Sequence, residues 1–107
     1  MAWTVEVKEA ALEHIQWFGK KTGRKLLKEA LRHLERDPLG ESKHMKTLRP
    51  NPVAARELRL FGKYRVLFSV HEERHLTTII LVGEKSGNRL LVLGEEYSAH
   101  HESNSIE

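Results

Sequence analysis

The stretch from Met45 to Tyr97 constrains the fold more than any other part of this 107-residue chain. It contains short segments in which apolar residues alternate with polar ones or dominate, and turn sequences separate these segments. Alternation with a period of two is typical of strands, and strands joined by short turns form antiparallel meanders. Arginines lie at or just beyond the segment ends, so the predicted sheet offers a surface suited to binding a phosphate backbone.

Three to four strands are predicted in this stretch. The residues Phe61-Gly62 supply the turn between the first two strands, and Gly83–Asn88 is predicted to be a polar loop after the third. The third strand is apolar enough to be central, with both of its faces at least partly covered. In chain order the predicted strands are Ala55–Leu60, Lys63–His71, Leu76–Val82 and, as a short fourth segment, Arg89–Leu93.

One strand and two helices are predicted before this stretch. Residues Ala2–Val7 alternate and predict the strand, and from Lys8 the apolar period becomes helical. A break bracketed by Gly19 and Gly23 ends the first helix, and the second is predicted to begin at about Arg24. Its expected buried stripe is Leu27, Ala30, Leu31 and Leu34.

The second helix is predicted to end at Asp37-Pro38, because proline disfavours the helical conformation of the residue before it. The predicted order is therefore β-α-α-β-β-β, which favours an α+β fold in which a helical hairpin covers one face of an antiparallel sheet. The length fits one domain. We assign it to residues 1–97, and residues 98–107, which have almost no apolar content, are predicted to be a disordered tail.

The connection from Leu39 to Val53 is predicted to be long and irregular. Its basic residues Lys43, His44, Lys46 and Arg49 make it a candidate binding loop. A plain surface connection between helix and sheet is the alternative.

Composition restricts the class of protein. The chain is 39% hydrophobic and 31% charged, as expected for a soluble globular domain, and it has no apolar run near the roughly 20 residues of a membrane helix. With no secretory signal at its amino terminus, a cytoplasmic location without membrane partners is expected. The absence of cysteine excludes disulfides and thiolate metal sites.

Charge indicates a nucleic-acid partner only weakly. The net charge is +3, from 18 Lys and Arg against 15 Asp and Glu, but bases dominate between Lys20 and Lys63. A regional basic surface is the electrostatic footprint of nucleic-acid binding, and an ordinary solvated helix face is the alternative.

Considered together, these segments resemble the RelE/ParE superfamily, the toxins of bacterial type II toxin–antitoxin modules. The matching pieces are the strand Trp3–Val7, the helix pair ending at Asp37-Pro38, the segment KHMKTLRP, and the run RELRLFGKYRVLFSV that leads through TIILVGEK to GEEY. The resemblance covers residues 2 to 97. It implies a two-layer toxin fold and a cognate antitoxin that wraps around the toxin.

The resemblance also implies an activity. RelE-like members cleave mRNA, typically on the ribosome, and need no metal ion or other cofactor, so an endoribonuclease that inhibits translation is the leading hypothesis. ParE-like members share the fold but poison DNA gyrase, which is the alternative. A third hypothesis is a catalytically inactive member that acts by binding only.

Metal-free RNA cleavage uses the ribose 2′-hydroxyl as nucleophile and needs a proton acceptor, cations for the phosphoryl oxygens and an acid for the leaving oxygen. Arg65 matches the catalytic arginine of RelE-like nucleases, and Glu57 is the candidate base. Arg89 and Tyr97 match a second arginine and a tyrosine that stacks on a base or assists proton transfer. The candidate RNA-binding residues are Arg59, Arg56, Lys46, Arg49 and Lys63.

Structural roles remain open for each of these residues. Arg65 could simply pair with Glu57 across the hairpin, and Arg59 could be an exposed cross-strand charge. Tyr97 could be a packing residue. RelE-like nucleases also carry two lysines, one residue apart, on the strand that here reads Ala55–Arg59, and neither lysine is present.

The histidines and tryptophans suggest no separate site. None of the seven histidines forms a helical metal-binding pair, so surface positions are expected, with His44 or His71 as a minor candidate proton carrier. Trp3 and Trp17 are expected to be core or interface residues. An exposed Trp17 would indicate a contact with the antitoxin.

Overall fold

The computed structural model describes residues 2–97, and the predicted tail lies outside them. The elements in chain order are β1 (Thr4–Val7), α1 (Glu9–Trp17), α2 (Lys20–Arg36), β2 (Met45–Thr47), β3 (Arg56–Leu60), β4 (Tyr64–His71), β5 (Leu76–Ser86), β6 (Arg89–Val92) and β7 (Glu95–Tyr97). A short 3-10 turn, Glu72–Arg74, joins β4 to β5. The predicted α+β fold, with an amino-terminal strand, a helix pair and an antiparallel meander, is confirmed.

The strands form one sheet around the long strand β5. The order β2-β3-β4-β5-β6-β7 is antiparallel throughout, whereas β1 pairs with β5 in parallel. The first half of β5, from Leu76 to Ile79, pairs with β1, and its last residues, Glu84–Ser86, pair with β6. Because β4 lies along the other edge of β5, β1 and β6 share one edge and leave a short gap between them.

The two helices cover one face of this sheet. Ala11 and Ile15 of α1 are buried, as are the residues that α2 places every fourth position, namely Leu26, Ala30 and Leu34. They pack against the strand residues Leu58, Leu60, Val66, Phe68, Ile79 and Val82. This layer is the main hydrophobic core.

The opposite face of the sheet carries a second, smaller apolar cluster. Leu67 and Leu81 alternate with residues of the main core and therefore point away from the helices. They are buried together with Ala54 and Val92, and the partly buried residues packed against them include Leu48, Leu90 and Tyr97. The segment between β2 and β3 supplies part of this cover, so both faces of β5 are covered as predicted.

The break between the helices is shorter than predicted. The second helix begins at Lys20 rather than at about Arg24, and Gly23 lies inside it. A Cβ atom on Gly23 would lie 2.7 Å from the backbone oxygen of Ile15, so this glycine lets the two helices approach closely. The core stripe is also shifted from the prediction, because Leu27 and Leu31 are only half-buried.

The sheet contains two strands that were not predicted and one strand that is longer than predicted. The connection predicted to be irregular contains β2, the loop predicted for Gly83–Asn88 is a continuation of β5 as far as Ser86, and β7 was not predicted. Both β2 and β7 have only three residues and are strands because they pair with β3 and β6, respectively. No helix among residues 2–97 is both long and apolar enough to cross a membrane.

Candidate nucleic-acid interface

Three charged side chains meet on the face of the β3–β4 hairpin that points away from the helices. Arg56, Leu58 and Leu60 are buried, so the alternation of β3 directs Glu57 and Arg59 to the other face. Arg59 is paired with Arg65 of β4. Glu57, Arg59 and Arg65, three of the candidate site residues, are therefore brought together by the strand register.

The Glu57 carboxylate forms ion pairs with both arginines of this charged cluster. The Arg59 Nε donates to the Glu57 Oε2 at 3.1 Å, and the Arg65 Nε lies 3.9 Å from the same oxygen. The Arg65 Nη1 also donates to the backbone oxygens of Gly62 and Tyr64 at 2.9 and 3.0 Å. These bonds fix the Arg65 guanidinium with little freedom to move.

The three side chains of the cluster differ in exposure. The side chains of Arg65 and Glu57 are 11% and 13% exposed, and that of Arg59 is 37% exposed. Burial lowers the pKa of Arg65 from its usual value; Glu57 opposes this effect and Arg59 adds to it. An arginine pKa starts so far above neutrality that Arg65 remains a cation at pH 7. The cluster therefore presents a fixed, partly desolvated positive charge, which binds anions more strongly than a fully solvated one.

A groove of about 550 Å³ lies beside the charged cluster. Leu67 and Leu90 line it together with Glu57, so it has an apolar portion and a charged portion. Two lysines line it as well: Lys46 on β2, which faces Glu57 in the strand register, and Lys85 near the end of β5. The backbone segment 47–51, which includes Arg49, forms the remaining wall.

Tyr97 lies on the groove side of the sheet. It is half-buried, pairs with Leu90 across β6 and β7, and packs against the second apolar cluster. Its aromatic ring is therefore next to one of the residues that line the groove. The packing role considered for this tyrosine is present, and it leaves part of the side chain accessible.

Arg59, Arg65 and Tyr97 lie beside the groove without lining it, and three further predicted site residues are held elsewhere. Arg56 is 7% exposed and donates to the backbone oxygens of Leu39 and Gly40 and to the carboxylate of Glu41, which attaches the α2–β2 connection to the sheet. Lys63 pairs with Glu84 at 3.0 Å, and this bond raises the pKa of Lys63. Arg89 is exposed on β6, and its Nη1 lies 3.8 Å from the Oε1 of Glu96.

Lys85 is the groove residue that the sequence interpretation missed. It was assigned to a polar loop, but Leu81, Gly83 and Lys85 alternate toward the groove once β5 is extended. The Gly87-Asn88 pair, a typical two-residue hairpin turn that carries β5 as far as Ser86, was the available signal. Lys46 on β2 and Lys85 on β5, two strands separated in the sheet by β3 and β4, thus place two lysines in the groove, although β3 itself carries none.

The described residues contain no alternative metal centre. Among residues 2–97, no group of three or more His, Cys, Asp or Glu side chains could hold a metal ion. Burial lowers the pKa values of His14 and His33, and both side chains lie on the helix layer. The groove is therefore the place where the described residues best combine cations, a carboxylate and an apolar surface.

Several solved structures share the architecture of this chain. A chain of the RelBE2 toxin–antitoxin complex of Mycobacterium tuberculosis matches it with a TM-score of 0.68 and 22% identity, covering 79% of this chain and 93% of that one. A mutant E. coli RelE toxin in the free state matches it with a TM-score of 0.59 and 27% identity, covering 82% of this chain and 88% of that one. This chain has the fold of the RelE toxins. The resemblance predicted from the sequence is thus confirmed at the level of the fold.

A further neighbour with this fold comes from a complex of a toxin with its antitoxin. A chain of the intact E. coli RelBE toxin–antitoxin complex matches with a TM-score of 0.58 and 26% identity, covering 79% of this chain and 99% of that one. No protein-family model and no curated protein sequence matches the chain.

Proposed function

We propose that this chain is the toxin of a type II toxin–antitoxin module and acts in the cytoplasm as a metal-independent endoribonuclease on mRNA, on the ribosome, so that translation is inhibited. The observation that carries this proposal is the position of the Glu57–Arg59–Arg65 cluster next to a groove that also contains Lys46 and Lys85. The RelE fold supports it.

In this proposal the cations of the groove bind the RNA backbone. Arginine forks suit phosphate oxygens, and Lys46, Lys85 and Arg49 extend the positive surface along the groove. The apolar lining and Tyr97 accept an unstacked base, since aromatic and apolar side chains are typical partners of single-stranded RNA. When a phosphate takes the place of Glu57 beside the arginines, the Glu57 carboxylate becomes available for a second role.

That second role is proton transfer. The Glu57 carboxylate accepts the proton of the ribose 2′-hydroxyl while the 2′-oxygen forms a bond to the adjacent phosphorus. Arg65 stabilises the charge that develops on the phosphoryl oxygens. The bond from phosphorus to the 5′-oxygen breaks, and the phenol of Tyr97 gives its proton to the leaving oxygen. The products are a 2′,3′-cyclic phosphate and a free 5′-hydroxyl, and water then restores the protonation states.

We further propose that the helix layer binds the cognate antitoxin. Leu12 and Trp17 of α1 are 40% and 51% exposed, so both of these large apolar side chains are accessible to a partner. A groove of about 200 Å³ between α1 and α2 is lined by Leu12, Leu27, Lys20 and Arg24 among others. An antitoxin segment with apolar residues flanked by acids would match this surface.

One observation favours a second candidate function. The strand β3 lacks both lysines expected of the best-known RelE nucleases, which is consistent with a ParE-like gyrase inhibitor or with a member that acts by binding only. These candidates predict toxicity or antitoxin binding without any RNA cleavage.

Three measurements test the proposal. Expression of the chain alone should arrest growth, and primer extension on mRNA should reveal cleavage that increases when ribosomes are present. Arg65→Ala should reduce cleavage about 100-fold, whereas Arg74→Ala, which removes an exposed arginine on the turn between β4 and β5, should leave it unchanged. Inhibition of purified gyrase in a supercoiling assay, without RNA cleavage under any condition, would replace the nuclease by the gyrase inhibitor.

A further inference from the structure

The connection between β2 and β3 is organised around one side chain, that of Asn51. Its Oδ1 accepts hydrogen bonds from the backbone N–H groups of Val53 and Ala54 at 2.8 and 3.0 Å. Its Nδ2 donates to the backbone oxygens of Arg49 and Ala54 at 2.7 and 3.0 Å. A side-chain amide has two donor hydrogens and two acceptor lone pairs, so Asn51 uses its full hydrogen-bonding capacity within this connection.

The neighbouring residues explain why the connection needs these bonds. Asn51 stands between Pro50 and Pro52, which have no backbone N–H group and therefore cannot donate to a turn or a ladder. The Leu48 N–H donates to the Ala55 oxygen at 2.9 Å and closes the base of the connection. Beyond that bond, Asn51 replaces the missing backbone bonds, as asparagine commonly does in turns.

This connection forms a wall of the candidate RNA groove. Arg49, Pro50 and Asn51 line the groove, while Leu48 and Ala54 pack into the apolar cluster beneath it. The connection is thus held from below by packing and from within by Asn51. Because Asn51 bonds directly to the backbone oxygen of Arg49, it fixes the point from which the Arg49 side chain extends.

We propose that Asn51 is a positioning residue that holds the β2–β3 connection in the conformation in which Arg49 reaches a phosphate of RNA in the groove. This inference rests on the proposed RNA-binding function. A preformed wall binds more tightly because the entropy of ordering the segment has been lost during folding and is not lost again on binding.

Amide hydrogen exchange tests the conformational part without RNA. The Val53 and Ala54 amides, which donate to the Asn51 Oδ1, should exchange slowly in the wild-type protein and fast in Asn51→Ala. Asn51→Asp keeps an acceptor and loses the two donors, so it should give intermediate protection. Asn88→Ala, in the β5–β6 turn, is the matched control and should leave both amides protected. Equal exchange in wild type and Asn51→Ala would overturn the proposal.

A double-mutant cycle tests the effect on Arg49. The probe is a fluorescein-labelled single-stranded RNA of mixed sequence, with binding followed by anisotropy at several salt concentrations. Arg49→Ala should weaken binding and lower the salt slope by about 0.7, the value for one phosphate contact on a single strand. Asn51→Ala should weaken binding in the wild-type background and have no further effect in Arg49→Ala. The melting temperature of each variant shows that it is folded.

The possible outcomes separate the two proposals. If Asn51→Ala weakens RNA binding equally in the wild-type protein and in Arg49→Ala, the positioning role is overturned while the proposed RNA binding stands. The same conclusion follows if Asn51→Ala weakens binding in neither protein. A wild-type protein that neither binds the free RNA nor cleaves mRNA on ribosomes would overturn the proposed function, and the exchange rates would still report whether Asn51 orders the connection.

Discussion

At the scale of single residues, Arg65 is the group on which the proposed chemistry depends most. Its guanidinium is fixed by two backbone oxygens and lies close to Glu57. Arg65→Ala should reduce the cleavage rate about 100-fold, the typical loss for one preorganised donor to a developing anion. Arg65→Lys should recover only part of the rate, because an ammonium lacks the planar fork. Single-turnover cleavage of a synthetic RNA measures the rates of both variants.

The folded state should survive this substitution, since Glu57 keeps its 3.1 Å bond to Arg59. Arg74→Ala controls for the loss of one positive charge. Full cleavage by a folded Arg65→Ala protein would remove Arg65 from the proposed site.

Gly83 is a second residue with a specific structural requirement. A Cβ atom there would lie 2.6 Å from the backbone oxygen of Leu91 and 3.1 Å from side-chain atoms of Leu90 and Val92. The backbone oxygen cannot move without separating β5 from β6, so Gly83→Ala should destabilise the protein by roughly 1–3 kcal/mol. Denaturant unfolding measures this change, and unaltered stability would show that the β5–β6 contact is looser than described.

At the scale of elements, the α1–β5 contact contains a histidine that should make stability depend on pH. The Val82 N–H, in the part of β5 between β1 and β6, donates to the His14 Nδ1 at 3.2 Å. Only the unprotonated nitrogen can accept this bond. Burial lowers the pKa of His14 below its unfolded value near 6.5, and Glu13 opposes the shift.

A lowered pKa means that the unfolded chain binds the proton more readily than the folded one. The contribution of His14 is therefore complete above about pH 6.5 and is lost as the pH falls through the folded pKa. The free energy of unfolding should decrease between pH 7 and 5, and His14→Gln should flatten this decrease. His33, whose pKa is lowered by burial and by Arg32, contributes in the same direction, so His33→Gln is the comparison variant. Identical pH profiles for wild type and His14→Gln would contradict the assignment.

The elements also show what can be predicted from the sequence and what cannot. Long periodic segments such as β4 are predicted closely, because large apolar residues recur at every second position of the sequence from Tyr64 to Val70. The three-residue strands β2 and β7 carry too little pattern of their own, since their conformation depends on pairing with β3 and β6. Gly23 was interpreted as a helix break because its local propensity favours one, whereas the close approach of Ile15 is a tertiary contact.

The candidate site follows the same division. Glu57, Arg59 and Arg65 are separate candidate site residues in the sequence, and the strand register brings them to one face of the sheet. Arg56 was grouped with them on charge alone, although its place in the alternation puts it on the opposite face, where Glu41 and two backbone oxygens surround it. Lys85 was missed because the end of β5 was not recognised.

At the scale of the whole molecule, the sheet separates two surfaces. The groove with Lys46 and Lys85 lies on one face, and the helix pair with the exposed Leu12 lies on the other. A partner can thus be held through the helices while a different segment of it reaches the groove. Antitoxin affinity and RNA cleavage should then be separable by substitution.

Leu12→Glu tests this separation. Leu12 is 40% exposed and lines the groove between the helices beside Lys20 and Arg24, so a carboxylate there would disrupt an apolar contact and repel an acidic partner. The proposed antitoxin should bind the variant at least about 10-fold more weakly, the effect of 1.4 kcal/mol. RNA cleavage by the isolated variant should be unchanged. Isothermal titration and the cleavage assay measure the two quantities.

Leu39→Glu provides the matched control, because Leu39 is 39% exposed and lies outside the helix groove, in the connection after α2. Trp17 is a poorer choice despite its greater exposure, because its ring packs against Gly94 in the β6–β7 turn. A Cβ atom on Gly94 would lie only 2.9 Å from this ring, so truncation of Trp17 would also disturb the turn. Equal antitoxin affinity for Leu12→Glu and wild type would place the antitoxin elsewhere, and a loss of cleavage in Leu12→Glu would show that the two faces are coupled through the sheet.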